Sequence, residues 1–154
     1  MNKQYLEAFS KAYLDIFPQF GIVDVSLMKE SQGGRIIETA GVACIVGIVG
    51  ELAGNVIFSM SEDVGKRIAS YMMGGMEVEA FDEIAQSAIS ELGNMLAASA
   101  CIGISEFGKT LDISTPTLMH GDFSVSGSYE TVHHLEMSVD SLDFHIYVSL
   151  EERS

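Results

Sequence analysis

The spacing of apolar residues predicts three helices and six strands along the 154-residue chain. Apolar positions at steps of three and four predict helices at residues 2–17, 61–75 and 82–107. Ser61 is the predicted N-cap of the second helix, and Gly74-Gly75 is its predicted end. Alternating or continuous apolar runs predict strands at residues 22–31, 40–49, 55–60, 123–127, 131–139 and 142–150. Asp140-Ser141 is the predicted turn that joins the last two strands into a hairpin. This order predicts an α+β fold, an α/β sandwich with helices packed on a mostly antiparallel sheet. The length predicts a single domain, residues 1–154.

The third helix has the most regular pattern and carries the candidate chemistry. Its core face is predicted from residues at helical spacing, namely Ile84, Ala88, Leu92, Met95, Ser99 and Ile102. Glu91 and Asn94 point away from that face, about 60° apart around the helix. Their neighbours on this side are all small: Ser87, Ser90, Ala98 and Cys101. Glu91 is the only charged residue between Glu83 and Glu106, a pattern that favours contact with a partner over exposure to water.

A simpler interpretation of this helix surface stays open on spacing alone. Glu91 and Asn94 are then ordinary polar residues on a helix whose small residues pack against another helix or a second subunit. The residue pattern does not decide between this interpretation and a functional site.

Charge and hydropathy exclude several classes of partner. Eight basic residues against 22 acidic ones give a net charge of −14, which opposes binding to nucleic acid or to an anionic membrane surface. The most apolar run, residues 40–49, is far shorter than the roughly 20 residues that span a bilayer. Glu7 interrupts the segment where a signal peptide would be apolar. We therefore expect a cytoplasmic protein that binds neither nucleic acid nor membrane.

No cofactor or metal motif is present in the sequence. The glycines form neither a P-loop nor a dinucleotide-binding pattern. The histidines, His120, His133, His134 and His145, lack the spacing of a metal-binding motif. Cys44 and Cys101 stand singly in apolar segments, which is typical of reduced core cysteines. The sequence thus predicts no metal site and no cofactor of the protein's own.

Three segments together resemble a known family. Residues 87–98 (SAISELGNMLAA) are similar to the signature helix of the CheC, CheX and FliY phosphatases of bacterial chemotaxis, which carries Glu-x-x-Asn. Residues 61–75 (SEDVGKRIASYMMGG) and 114–121 (STPTLMHG) resemble the segments that precede and follow that helix. The first helix has Glu7 followed by Ser10 in place of a second motif, so the chain resembles CheX most. Ala98 stands where the family commonly has glycine.

The resemblance implies an enzyme that hydrolyses the phosphoaspartate of a CheY-type response regulator. By this resemblance, Asn94 orients the attacking water and Glu91 pairs with the lysine of the receiver domain. The receiver supplies the Mg²⁺ ion. The small residues around the pair let the helix enter the receiver's active site, so Ser87, Ser90, Ala98 and Cys101 are the predicted partner-binding residues.

The sequence also predicts assembly and leaves two other functions open. The runs 40–49 and 131–150 are apolar and poor in Lys and Pro, so we expect unprotected sheet edges. With the resemblance, this predicts a homodimer formed by strands. A non-catalytic dimeric module that binds receiver domains or other partners is the alternative function. A small-molecule enzyme is a third, although no nucleophile–base pair or cofactor motif favours it.

Overall fold

The computed structural model describes residues 1–152; Arg153 and Ser154, the last residues of the predicted domain, lie outside the described part of the chain. The helices are α1 (Lys3–Ile16), α2 (Glu62–Met72) and α3 (Glu83–Ser105), and a short 3₁₀ helix, Phe17–Phe20, follows α1. The strands are β1 (Val25–Gly33), β2 (Ile36–Glu38), β3 (Val42–Gly50), β4 (Leu52–Met60), β5 (Leu111–Ile113), β6 (Thr117–His120), β7 (Ser124–Ser126), β8 (Val132–Val139) and β9 (Leu142–Glu152).

Seven of these strands form one antiparallel sheet. Its order is β1-β8-β9-β4-β3-β5, and β6 also pairs with β3. β5 pairs with residues 48–50 and β6 with residues 42–45, so the two short strands share one side of β3. β2 and β7 form a separate antiparallel pair. The predicted α+β class with a mostly antiparallel sheet is confirmed.

The two faces of the sheet are covered differently. One face packs against the three helices and forms the main core, in which alternate residues of β9 such as Phe144, Ile146 and Val148 are buried. The other face meets the β2–β7 pair in a smaller core that contains Ile37, Ala43, Ile57, Val125 and Val132. The alternation of side chains along each strand therefore separates a helix face from an outer face.

Local signals place the helix ends close to their predicted positions. Ser61 Oγ accepts a hydrogen bond from the Val64 amide at 3.1 Å, which confirms the predicted N-cap of α2. Asp82 Oδ1 caps α3 in the same way through the Ala85 amide at 3.0 Å. Gly74 and Gly75 have φ values of +73° and +91° and end α2 as predicted.

The buried face of α3 is rotated about the helix axis relative to the predicted one, so the prediction of this face is wrong. Ile84 and Ile102 are 63% and 66% exposed. The buried face instead carries Ala85, Ile89, Leu92, Gly93, Leu96, Ala97, Ala100, Cys101 and Ile104. α3 packs against both the sheet and α1, and its small residues let those neighbours approach closely. Gly93, Ala97 and Ala100 are therefore buried beside the larger apolar residues, and the buried side does not follow the stripe that ends at Ile84 and Ile102.

The first strand also differs from its prediction. Residues 22–31 are predicted to form a half-buried strand, but β1 begins at Val25 and most of its residues are exposed. Val23 precedes the strand and is 82% exposed. A register shift between Leu27 and Lys29 interrupts the alternation. β1 lies at the end of the sheet, which explains why its apolar residues stay accessible.

The runs predicted to form unprotected sheet edges lie inside the sheet. β3 has β4 on one side and β5 and β6 on the other, β8 lies between β1 and β9, and β9 lies between β8 and β4. These strands are apolar because they are buried, so the prediction that they form free edges is wrong. The prediction of a dimer therefore has to rest on another part of the sheet.

By length and composition alone, α3 would be able to cross a bilayer. In the fold it is the central helix, and residues along its length belong to the main core. Core packing against the sheet and α1 accounts for its apolar character.

Candidate functional site

An open groove of about 810 Å³ runs between α3 and the segment that connects β5 to β6. The α3 side contributes Glu83, Gln86, Ser87, Ser90, Glu91 and Asn94. The facing wall contributes Ile113, Ser114, Thr115, Pro116 and Leu118. The structure therefore brings together two of the segments that carry the family resemblance, residues 87–98 and 114–121, although 15 residues separate them in the chain.

Glu91 and Asn94 project into this groove. Glu91 is exposed and Asn94 is half-buried. Within residues 1–152, neither side chain makes a hydrogen bond or an ion pair. Their polar atoms are thus available to an incoming molecule, and three residues of helix place the two side chains on adjoining positions of one face.

The backbone of α3 is held directly on the sheet beneath this pair. Gly93 lies over Cys44 of β3, and a Cβ atom at this position would overlap the Cys44 Sγ atom. Leu92, beside it, is 1% exposed. The glycine between Glu91 and Asn94 thus fixes the height of the helix above the sheet, and with it the position of both polar side chains.

The opposite wall is anchored to the same strand. Ser114 donates its backbone N–H to the Gly47 carbonyl at 2.9 Å. Its Oγ atom accepts a hydrogen bond from the Gly47 N–H at 2.8 Å. β3 therefore supports both sides of the groove, through Cys44 under the helix and through Gly47 at the wall.

The charge of the groove is negative. Of its lining residues, Glu83 and Glu91 are carboxylates, and none is Lys or Arg. A molecule that enters the groove would have to bring its own positive charge to pair with these side chains. This suits a positively charged group beside Glu91 better than a free anion.

The structure separates the four predicted partner-binding residues. Ser87 and Ser90 line the groove. Ala98 is half-buried on α3 beyond the groove lining. Cys101 is 8% exposed and belongs to the main core, so its assignment to the contact surface is not supported. The error follows from the rotated helix face, which turns Cys101 toward the core.

The cysteines have the chemistry of core residues. Burial raises the pKa of the Cys44 thiol to about 12 and that of Cys101 to about 11. Both thiols are free. At neutral pH they are protonated, so neither offers a thiolate nucleophile to the groove.

Sequence reasoning missed two features of the molecule. Gln86 lines the groove, and its Nε2 atom donates to the Phe81 carbonyl at 3.0 Å. On the outer face of the sheet, His134, Glu136 and His145 form a cluster whose ligand atoms all lie within 4.8 Å of one another. These three residues come from two strands, so no linear spacing marks them, although a predicted 131–150 hairpin would have brought His145 opposite Glu136.

Comparisons with known proteins show the family of this chain. The family model for the chemotaxis phosphatase CheX matches residues 42–134. The CheY-P phosphatase CheX of Thermotoga maritima is 38% identical over 108 residues, which cover 70% of each chain. The match to the family model extends from β3 through α2, α3 and the groove wall into β8.

Solved structures share the fold at lower sequence identity. A CheC-like superfamily protein from Shewanella sp. PV-4 superposes with a TM-score of 0.87 at 20% identity, over 98% of this chain and 99% of that one. A structure of the CheX–CheY–BeF₃–Mg²⁺ complex from Borrelia burgdorferi gives a TM-score of 0.78 at 21% identity, over 97% of each chain. Because the family model covers more than half of the chain, this protein belongs to the CheX family of chemotaxis phosphatases and is an enzyme of that class.

Proposed function

We propose that this protein removes the phosphoryl group from the phosphoaspartate of a CheY-type response regulator. The observation that carries the proposal is the pair Glu91 and Asn94, which projects from a sheet-anchored helix into an open groove and has no polar partner among residues 1–152. The Thermotoga maritima relative is named as a phosphatase of CheY-P. The solved complex from Borrelia burgdorferi holds CheX together with CheY, BeF₃ and Mg²⁺.

Asn94 orients the water that attacks phosphorus. Its amide oxygen accepts a hydrogen bond from the water, and its amide N–H₂ donates to a phosphoryl oxygen. The water oxygen forms a bond to phosphorus as the bond from phosphorus to the aspartyl oxygen breaks. The aspartate leaves as a carboxylate, and the released phosphate and solvent take up the water proton. An acyl phosphate is already reactive, so most of the remaining rate acceleration comes from positioning the attacking water.

Glu91 pairs with the lysine of the receiver's active site. It is exposed, it lies in a groove without a cation of its own, and a lysine ammonium would satisfy its charge. The pair sets the register between the two proteins. Glu91 does not act as the base, because a carboxylate placed against the phosphoryl group would repel its negative charge.

The receiver brings the positive charge that neutralises the phosphoryl oxygens. The groove lining contains no Lys or Arg that could neutralise these oxygens, and the solved CheX–CheY complex from Borrelia burgdorferi holds Mg²⁺ together with BeF₃. We therefore infer that the Mg²⁺ ion comes with the receiver and that the phosphatase site needs no cofactor of its own. Ser87, Ser90 and Ala98 leave space for the receiver to approach α3. We also propose that the protein acts in the cytoplasm, as a homodimer.

The alternative function is a non-catalytic dimeric module that binds receivers through the same groove. Asn94 favours catalysis, because a binding surface has no need of an amide at the position where an attacking water would be held. Only a measurement of turnover separates the two functions.

The deciding experiment mixes the purified protein with candidate receivers phosphorylated by a small phosphodonor, after the donor has been removed. We expect substoichiometric protein to speed the loss of the phosphoryl group above the receiver's own rate. Chelation of Mg²⁺ should abolish the effect. A receiver that binds but keeps its phosphoryl group at the unassisted rate would support the non-catalytic module instead.

A further inference from the structure

A cluster of three side chains that the phosphatase site does not use lies on the outer face of the sheet. His134 and Glu136 alternate with the core residues of β8, and His145 alternates with those of β9. Glu136 lies directly opposite His145 in the strand register, and His134 lies on the diagonal. All three point away from the helices and hence away from the groove of Glu91 and Asn94.

The donor atoms of this cluster already converge. His134 Nε2 and His145 Nδ1 are 2.9 Å apart, and His134, Glu136 and His145 each offer a ligand atom such that all three lie within 4.8 Å of one another. In a tetrahedral zinc site with metal–ligand bonds of about 2.0–2.1 Å, donor atoms lie about 3.4 Å apart. Small rotations about the side-chain bonds would therefore bring all three to bonding distance of a single ion.

The surroundings restrict the movement of these ligands. The His134 ring stacks on Tyr147, with ring centroids 4.3 Å apart and planes 16° apart. All three side chains are half-buried, so their orientation is partly fixed before any ion arrives. Lys29 faces Glu136 across β1 and β8, and no ion pair joins them within residues 1–152. Its positive charge opposes cation binding, so the affinity depends on the imidazoles as well as on the carboxylate.

We propose that His134 Nε2, His145 Nδ1 and the Glu136 carboxylate bind one Zn²⁺ ion, with water as the fourth ligand. Two imidazoles and one carboxylate are a donor set that zinc and similar transition metals prefer, whereas Mg²⁺ and Ca²⁺ prefer sites built from oxygen ligands. The ion would join β8 to β9 on the face opposite α3. This proposal replaces the expectation of no metal site, and it does not depend on the phosphatase chemistry of the groove.

The test is calorimetric titration of Zn²⁺ into the full chain, freed of any affinity tag and treated with chelator. We expect one saturable site per chain, a higher melting temperature with Zn²⁺, and a tetrahedral absorption spectrum with Co²⁺ as the substitute ion. His134→Ala and His145→Ala should each weaken Zn²⁺ binding by more than about tenfold. Glu136→Gln, which keeps the shape of the side chain, should also weaken it.

His133→Ala is the matched control, because His133 is adjacent in β8 but points to the other side of the sheet. It should keep the affinity and the Zn²⁺-dependent rise in melting temperature. The proposal fails if the parent shows no saturable Zn²⁺ site, or if His134→Ala and His145→Ala bind as tightly as the parent. It also fails if His133→Ala loses as much affinity as they do. If either alanine variant does not fold, the Zn²⁺ affinity of Glu136→Gln tests the proposal in its place.

Discussion

Gly93 of α3 lies directly over the Sγ atom of Cys44 in β3, so no side chain fits between helix and sheet at the centre of the Glu-x-x-Asn motif. This contact links the core to the site, because Gly93 stands between Glu91 and Asn94 in the sequence. Any change that lifts the helix at Gly93 therefore moves the side chains of both Glu91 and Asn94.

Gly93→Ala is therefore expected to lower both stability and activity. Overpacking of a core typically costs about 1–3 kcal/mol, which exceeds the gain of about 1 kcal/mol that alanine brings to a helix interior. Denaturant unfolding measures the loss, and adding Cys44→Ala should recover much of it by making space. Gly103→Ala, on the same helix, meets only the Ala8 Cβ atom at 3.4 Å and should be tolerated. Equal stability of Gly93→Ala and Gly103→Ala would contradict this account.

Asn94→Ala is expected to lower the phosphatase rate by roughly 10²-fold or more, because it removes a contact made in the transition state. Affinity for the phosphorylated receiver should change little. The loss of phosphate from the receiver at saturating enzyme measures the rate. Gln19→Ala, which removes an exposed amide outside the groove lining, serves as the control. Turnover by Asn94→Ala near that of the parent would exclude the proposed role.

Glu91→Lys is expected to weaken binding as well as hydrolysis. The variant would bring a lysine against the lysine of the receiver, and like charges repel strongly where water is excluded. A binding titration with a phosphorylated receiver measures the effect. Glu106→Lys makes the same change of charge at the exposed end of α3 and should bind normally. Equal affinity of the parent and Glu91→Lys would show that Glu91 does not contact the receiver lysine.

Local signals explain why the elements and the motif were predictable from the sequence. Ser61 as an N-cap and Gly74-Gly75 as a helix end act over a few residues, so they can be recognised without knowledge of the fold. The turn at Asp140 and Ser141, both with positive φ, likewise joins β8 and β9 as predicted. The motif around Glu91 is recognisable for the same reason, since all of it lies on one helix.

The errors arise where distant parts of the chain decide the outcome. The buried side of α3 depends on α1 and the sheet together, so Ile84 is exposed although its spacing fits a core stripe. The order of strands determines which edges are free, and it is not encoded in any one strand. The approach of His145 to His134 depends on a cross-strand register, which neither residue shows by itself.

Neither cysteine should react with an alkylating reagent in the folded protein at neutral pH. Burial raises the pKa of the Cys44 thiol to about 12 and that of Cys101 to about 11, so almost no thiolate is present. Mass spectrometry after brief treatment with iodoacetamide should find both unmodified. Both should become modified once denaturant unfolds the chain. Rapid labelling of Cys101 under native conditions would instead show that this residue lies on the exposed surface of α3.

The free strand edge suited to dimer formation is β1. Among the described residues 1–152 it pairs only with β8, and it lies at the end of the sheet away from β5, β6 and the groove. It carries Met28, which is 68% exposed. Lys29 and Glu30 follow with opposite charges, which two antiparallel copies of the strand can pair. A symmetric dimer through β1 would leave both grooves open, so that two receivers bind per dimer.

Sedimentation velocity at micromolar concentration should therefore show a dimer for the parent and a monomer for Met28→Glu, because a buried carboxylate at a strand pairing is costly. Met119→Glu places the same charge on β6, at the opposite end of the sheet, and should remain dimeric. Titration with a phosphorylated receiver should give one receiver per chain. Dissociation by Met119→Glu and not by Met28→Glu would place the interface beside the groove, where it would compete with the receiver for the surface around Glu91 and Asn94.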